Sequence, residues 1–274
     1  EALVACAPGL DHIARERVGI ELDGIMGSGH MAWALRNEFE VVSRALPDLA
    51  PMAGFDPRTP YHTHDVLEHT ARVCAGVEEY CGGGTPQSLR WAALFHDVAK
   101  PPCWSQDDDG RGHFYGHPKV SADMARRILG ELALPKDLIA EVCALILFHD
   151  RGVWPAARSV RTVLAKLDER CPGRGEPLAF QLIDLKRADA LAKAPGCAAY
   201  AVELDAVTIA LRQEVSQGAT FRVSDLAVSG GDVIRECGIA PGPAVGERLR
   251  GLLARVVDDE LPNDREVLLA ALRR

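Results

Sequence analysis

The 274-residue sequence predicts an all-α fold: a helical bundle with a helical segment ahead of it and a small helical tail behind it. Three observations carry this expectation. Aromatic residues are 5% of the chain while Ala, Leu and Arg are frequent, a mixture that favours helices over sheets. Apolar residues recur at helical spacing over long segments. Clusters of Gly, Pro and Asp separate those segments, at 27–29, 82–84, 107–110 and 171–173.

The elements follow in order. Residues 11–26 read as a helix with Asp11 as N-cap and Ile13, Val18, Leu22 and Ile25 as its apolar stripe. A second helix covers 31–46 and stops at Pro47. The stretch 47–60, with Pro47, Pro51, Pro57 and Pro60, reads as a linker and a domain boundary. Helices are expected at about 63–81, 86–98, 118–132, 135–149, 159–170, 176–193 and 197–216. In the tail, Gly230-Gly231 opens a helix that Gly238 ends. Pro241-Gly242-Pro243 then turns the chain into a helix over 244–257, and a last helix runs from about Asp264. The expected division is 1–56, 57–217 and 218–274, with negligible β content.

Composition narrows the function classes. No apolar run approaches the ~20 residues needed to cross a bilayer, and the N-terminus does not read as a signal peptide. The sequence opens on Glu1, which suggests an excised fragment. None of the eight cysteines forms a CxxC pair, so a zinc ribbon is excluded and reduced thiols in the cytoplasm are expected. A net charge of −8 argues against indiscriminate nucleic-acid binding. The charge is uneven, however: residues 111–193 carry +4 and the remainder −12, which suits an anionic ligand near the middle segment.

The chemistry-bearing residues lie in that region and just before it. His96-Asp97 follows the apolar run 91–95 near the end of a predicted helix, where both side chains can reach one divalent ion. His69 lies 27 residues earlier on another helix, and Asp189 far downstream on a third. Imidazoles with carboxylates and open positions suit a hard or borderline ion that also binds water and phosphate. A closed structural zinc site would use Cys and His. His62, Asp65 and His69 fall at i, i+3 and i+7, one face of a helix, which makes His62 and Asp65 substrate-side candidates. The runs His113-Phe114-Tyr115-Gly116-His117 and Phe148-His149-Asp150 add further histidines. Arg111, Lys119, Arg126, Arg127, Arg151, Arg158 and Arg161 could line a phosphate path, with Arg111 and Lys119 the nearest in sequence to these histidines. Asp107-Asp108-Asp109 reads as a solvated acidic turn.

The pattern His69…His96-Asp97…Asp189 resembles the H…HD…D signature of the HD superfamily of metal-dependent phosphohydrolases, and residues 92–101, AALFHDVAKP, look like that family's AALLHDIGKP. A narrower resemblance is to bacterial tRNA nucleotidyltransferases, the CCA-adding enzymes that carry an HD domain. It rests on 61–70, YHTHDVLEHT; on 109–117, DGRGHFYGH; on 225–234 and 238–246 in the tail; on 260–263, ELPN; and on 13–18, IARERV. It therefore runs from about residue 10 to the C-terminus. One departure stands out. Gly27-Ser28-Gly29 is not followed by the Asp-x-Asp pair of the nucleotidyltransferase head, so the sequence corresponds to neck end, body and tail.

The resemblance implies a helical bundle with one or two divalent ions in its interior, of a kind (Mg, Mn, Ni, Co, Fe or Zn) that the sequence does not fix. It implies His69, His96, Asp97 and Asp189 as ligands, His117 and His149 as ligands of a second ion, and Lys100 near the phosphate. Asp97, Lys100, His117 and His149 are then the catalytic candidates. Expected substrates are phosphomonoesters or 2′,3′-cyclic phosphodiesters of nucleotides or RNA ends, with the tRNA 3′ end as partner. The alternative is a tRNA-gripping body with a non-catalytic metal site. Neither reading gives this chain nucleotidyl transfer, and both leave room for a homodimer.

Overall fold

The computed structural model describes residues 5–61, 63–82 and 84–273. Among them the fold is all-α, with one two-stranded antiparallel sheet. The helices are α1 (Arg15–Gly27), α2 (Met31–Asn37), α3 (Phe39–Ala45), α4 (Val66–Tyr80), α5 (Gln87–Phe95), α6 (His117–Glu131) and α7 (Lys136–Phe148). They continue as α8 (Ala157–Arg170), α9 (Gly175–Ala192), α10 (Ala198–Ser216), α11 (Gly230–Cys237), α12 (Pro243–Val257) and α13 (Arg265–Leu272). Strands β1 (Ser105–Gln106) and β2 (Gly112–His113) form a short hairpin between α5 and α6. No helix among the described residues is long and apolar enough to cross a membrane.

The chain divides into two compact units. One comprises residues 1–152 and 180–204, the other 153–179 and 205–274. In the first, α6 lies along α7, α5 packs on α7 and α4, and α2 packs on α4. Its core is built from Trp91, Phe95, Leu89, Leu94, Ile128 and Leu129, all fully buried, with the Trp91 and Phe95 rings stacked at 5.8 Å. Helices α4 and α9 meet where Gly76 faces Ala188: a Cβ at Gly76 would stand 3.1 Å from the Ala188 Cβ. That close approach brings the His69 helix to the Asp189 helix.

The second unit has its own core of Leu226, Val228, Val233, Leu249, Leu252, Val256, Leu268 and Leu272. Ser229 caps α11: its hydroxyl accepts from the Asp232 backbone N–H, and the Asp232 carboxylate accepts from the Ser229 backbone N–H at 2.7 Å. Asp232 also accepts from Arg265 at 2.6 and 3.1 Å, tying α11 to α13. Arg265 beside it, with the Ser229 bonds, holds the Asp232 carboxyl well below the usual carboxylate range.

Three sequence expectations change. Asp11 caps no helix. It closes a 3-10 turn, Ala7–His12, and pairs with Arg44, while α1 begins after Ala14 with no side-chain cap. The helix expected over 31–46 breaks at Glu38. There the Asn37 amide donates to the Trp33 carbonyl at 2.9 Å, a side-chain bond of the kind that competes with the helical ladder. The proline-rich stretch is no loose linker at its start: 47–52 form a 3-10 turn whose Leu49 and Met52 are fully buried within the first unit.

Two glycines of α1 give a paired prediction. A Cβ at Gly19 would stand 2.2 Å from the Leu132 carbonyl oxygen, whereas Gly24 is exposed and meets nothing within 4 Å. Urea unfolding should show Gly19→Ala destabilising by ~1–3 kcal/mol through overpacking. Gly24→Ala should stabilise by up to ~1 kcal/mol through helix propensity alone. In the tail, Ser229→Ala should cost ~1 kcal/mol, the usual loss of an N-cap.

Candidate metal centre

Helix termini supply the side chains of the buried polar cluster. His96 is the C-cap of α5, His149 the C-cap of α7, and His117 the first residue of α6. The carbonyls of a last helical turn have no helical partner, and two of these histidines use them. His96 Nδ1 donates to the Ala93 carbonyl at 2.9 Å and His149 Nδ1 to the Ile146 carbonyl at 2.7 Å. His117 Nδ1 donates to the Phe114 carbonyl at 2.9 Å. A carbonyl oxygen can only accept, so in each neutral ring the hydrogen sits on Nδ1 and Nε2 keeps its lone pair.

Those lone pairs converge on Asp97. Its Oδ2 lies 3.1 Å from His96 Nε2 and 3.3 Å from His69 Nε2, and its Oδ1 lies 3.3 Å from His117 Nε2 and 3.7 Å from His149 Nε2. Asp189 Oδ1 is 3.2 Å from His69 Nε2. Two groups of ligand atoms result, His69, His96, Asp97 and Asp189, and Asp97, His117 and His149, with Asp97 common to both. The Nε2 atoms of His117 and His149 face each other at 3.4 Å, acceptor against acceptor. Asp97 Oδ1 and Asp189 Oδ1 are buried, the first facing the ring nitrogens of His117 and His149 and the second that of His69. Such a convergence of acceptors is repulsive unless a cation sits among them, and the imidazole-plus-carboxylate set suits a divalent ion. The residues therefore fit one ion per group. Ligating histidines that give the other ring nitrogen to a backbone carbonyl are the usual arrangement.

Lysines surround the cluster. Lys100 Nζ stands 2.6 Å from Asp97 Oδ2, and Lys193 Nζ stands 2.5 Å from Asp189 Oδ2. Lys186 donates to the His149 carbonyl at 2.5 Å and to the Arg151 carbonyl, tying down the end of α7. Burial favours the neutral carboxyl at Asp97, but neighbouring positive charge, that of the His96 ring when it is protonated and that of the Lys100 ammonium, outweighs it and holds the carboxyl well below its ordinary range. Burial likewise opposes ionisation of Asp189 and is outweighed by Lys193 and His69. For His149 burial wins and lowers the imidazole, in keeping with a neutral ring. It also pushes the Lys186 ammonium down to about 8, against the pull of Asp189.

The structure brings together His69, His96, Asp97, Lys100, His117, His149 and Asp189, all buried. It does not bring Asp65 or Lys119 to them. Asp65 sits outside the helix as the N-cap of α4, its carboxylate oxygens accepting from the Glu68 and Gly54 backbone N–H groups at 2.7 and 2.8 Å. The helical face it was expected to share with His69 begins only at Val66. Lys119 is exposed and pairs with Asp123 at 3.7 Å. His62 lies outside the described residues. Arg111 is exposed on the hairpin and bonds the Tyr61 hydroxyl at 3.3 Å. Arg127, Arg158 and Arg161 are engaged in ion pairs with Asp48, Asp258 and Glu214. Sequence reasoning assigned no role to Lys186 or Lys193. Their spacing around Asp189, i−3 and i+4, is that of one face of a continuous helix and was the available signal, although α9 ends one residue before Lys193.

The chain is similar to known proteins along its length. The HD domain family matches residues 61–194, and a family described as tRNA nucleotidyltransferase domain 2, putative, matches residues 188–272. The chain is 30% identical over 248 residues to the A-adding tRNA nucleotidyltransferase of Deinococcus radiodurans, covering 87% of this chain and 54% of that protein. It is 30% identical over 243 residues to the CC-adding tRNA nucleotidyltransferase of Thermus thermophilus, covering 88% and 52%. The chain thus spans about half the length of these curated relatives. The crystal structure of the Bacillus stearothermophilus CCA-adding enzyme in complex with CTP shares the fold, with a TM-score of 0.55 at 23% identity over 99% of this chain and 54% of that one.

The shared carboxylate makes a clear prediction about ion content. After loading with Mn2+ and desalting, elemental analysis of Asp97→Ala should find both groups emptied, whereas His117→Ala should lose about half the ions, since only one group contains it. Excess Mn2+ should stabilise the unsubstituted chain against thermal unfolding, by about 2.7 kcal/mol at one hundred times the dissociation constant. Asp97→Ala should show no such shift.

Proposed function

Since the chain belongs to the HD-domain, tRNA nucleotidyltransferase-related family, we propose that it is a metal-dependent phosphohydrolase acting on phosphomonoesters or 2′,3′-cyclic phosphodiesters of nucleotides or RNA ends. One observation carries this reading: the Asp97 carboxylate is shared between two groups of inward-facing ligand atoms. In it, His69, His96, Asp97 and Asp189 hold one divalent ion, and Asp97, His117 and His149 a second. Ions bound there supply positive charge that acidifies water and screens phosphate oxygens.

The chain's own residues supply the rest. Lys100, buried beside Asp97, carries a fixed ammonium that offsets charge on the phosphoryl oxygens as the transition state forms. The backbone-tied rings of His96, His117 and His149 need no reorientation. Hydrolysis joins a water oxygen to phosphorus and breaks the P–O bond to the leaving group, which takes up a proton. The reading keeps the division into a segment over 1–56, an HD domain over 57–217 and a tail over 218–274. All eight cysteines are free thiols, which supports a reducing, cytoplasmic setting.

A second reading follows from the relatives named above: the chain serves as a tRNA-binding body with a metal site that performs no chemistry. One preparation distinguishes the two. With Mn2+, Ni2+ or Co2+, release of phosphate from AMP or opening of 2′,3′-cyclic AMP is expected. Lys100→Ala should lower kcat by about 100-fold or more, and Asp97→Ala should abolish turnover. Absence of hydrolysis with every ion, alongside a tRNA gel shift that Asp97→Ala leaves unchanged, would establish the second reading instead.

A further inference from the structure

Two exposed aromatic pairs lie beside the metal cluster, and neither has a part in the chemistry described so far. Tyr115 is 78% exposed and stacks on His113, with ring centroids 5.2 Å apart and planes within 6°. Tyr61 is 52% exposed, and the Arg111 guanidinium lies over its ring at 5.5 Å. Both pairs are joined to the cluster through short connections. Tyr115 precedes His117 by two residues, and its neighbour Phe114 both offers its carbonyl to His117 and lies under the Lys100 ammonium at 5.5 Å. The Tyr61 carbonyl accepts from the Ala194 backbone N–H at 2.8 Å, one residue beyond the Lys193 that holds Asp189. Asp189 and His117 are the two most exposed of the six candidate ligands, at 8% and 6%. The aromatic pairs therefore attach at the side from which the cluster is reached.

The pairs are also held in place before any ligand arrives. Asp107 accepts from the Arg111 backbone N–H and lies against the His113 ring nitrogen, each at 2.8 Å, so the hairpin turn fixes the His113 plane. The Gly112 backbone N–H donates to the Arg58 carbonyl at 2.9 Å, and a Cβ at Gly112 would stand 2.1 Å from the Pro57 carbonyl oxygen. Only glycine lets the hairpin seat on the segment that leads to Tyr61. Fixed aromatic rings with an open face, an arginine among them and a phosphate-type centre next door match a nucleobase attached to a phosphate. A compact phosphate would have no use for the rings.

We propose that Tyr61, Arg111, His113 and Tyr115 form a nucleobase-stacking platform that makes this site select nucleoside phosphates over phosphates without a base. This rests on the phosphate-site reading above but not on turnover. The test is binding, by titration calorimetry on the full Mn2+-loaded chain, of AMP and of ribose 5-phosphate, which differ by the base alone. AMP should bind tighter by about 5- to 100-fold, the range that stacking of one base gives. Tyr115→Ala and Tyr61→Ala should each shrink that ratio while leaving ribose 5-phosphate affinity unchanged, and Tyr115→Phe should restore it. Equal affinities in the unsubstituted chain, no binding of either ligand, or a ratio unmoved in both alanine variants would overturn the platform. A base-dependent ratio without hydrolysis by any ion would leave the platform standing and remove the phosphohydrolase reading alone.

Discussion

The buried carboxylate of Asp97 is the constraint around which the first unit is arranged. A carboxylate out of water must be compensated by cations or donors. The neutral rings of His96, His117 and His149 cannot donate to it through Nε2, because each gives its Nδ1 hydrogen to a backbone carbonyl. Compensation within the chain comes from Lys100 at 2.6 Å and from the His69 ring at 3.3 Å. The rest of the geometry then follows. Three helix termini must meet at one point, and α4 must approach α9 closely enough for His69 to face Asp189, which the Gly76–Ala188 contact permits. An ordinary core would bury apolar side chains in that space. This one holds acceptors in fixed orientations, an arrangement that makes sense as a receptacle for positive charge.

The lysines show how charge is distributed around that receptacle. Lys100 pairs with Asp97 Oδ2, the oxygen that also faces His69 and His96, Lys193 pairs with Asp189 Oδ2, and Lys186 secures the carbonyl of His149. Positive charge therefore reaches the site from Lys100 just after α5 and from Lys193 just after α9. Some of the arginines that give the middle of the sequence its basic balance are paired with acidic side chains. Arg127, Arg158 and Arg161 are three examples. A local charge excess in a sequence counts residues without regard to partners, and here part of it is already paired with carboxylates.

Each unit carries a separate hydrophobic core. The HD match ends at residue 194, one residue past Lys193, and the second family match continues through the tail. Besides its core, the tail is held by the Ser229–Asp232 capping box and by the Asp232–Arg265 pair that joins α11 to α13. The capping box is encoded within a few residues and works wherever its helix forms, whereas the ion pair needs two helices to meet.

What the sequence alone determined was whatever depends on neighbours along the chain. Helix content, the glycine and proline breaks and the tail helices from Gly230 onward were legible because periodicity and turn chemistry are local properties, whereas the candidates His69, His96, Asp97, His117, His149 and Asp189 were proposed from the resemblance to the HD motifs. Tertiary structure decided the rest. Asp65 became a cap because the helix starts one residue after it, a boundary that spacing cannot locate. Lys119 lies on the exposed side of α6, where it pairs with Asp123 one turn along. Lys186 and Lys193 gained their places from the carbonyl of His149 and the carboxylate of Asp189, the first of them 37 residues away in sequence. The sharing of Asp97 between two ligand groups is likewise no property of the His-Asp dipeptide. It arises because α6 and α7 bring His117 and His149 to the second oxygen of a carboxylate whose first oxygen already faces His69 and His96.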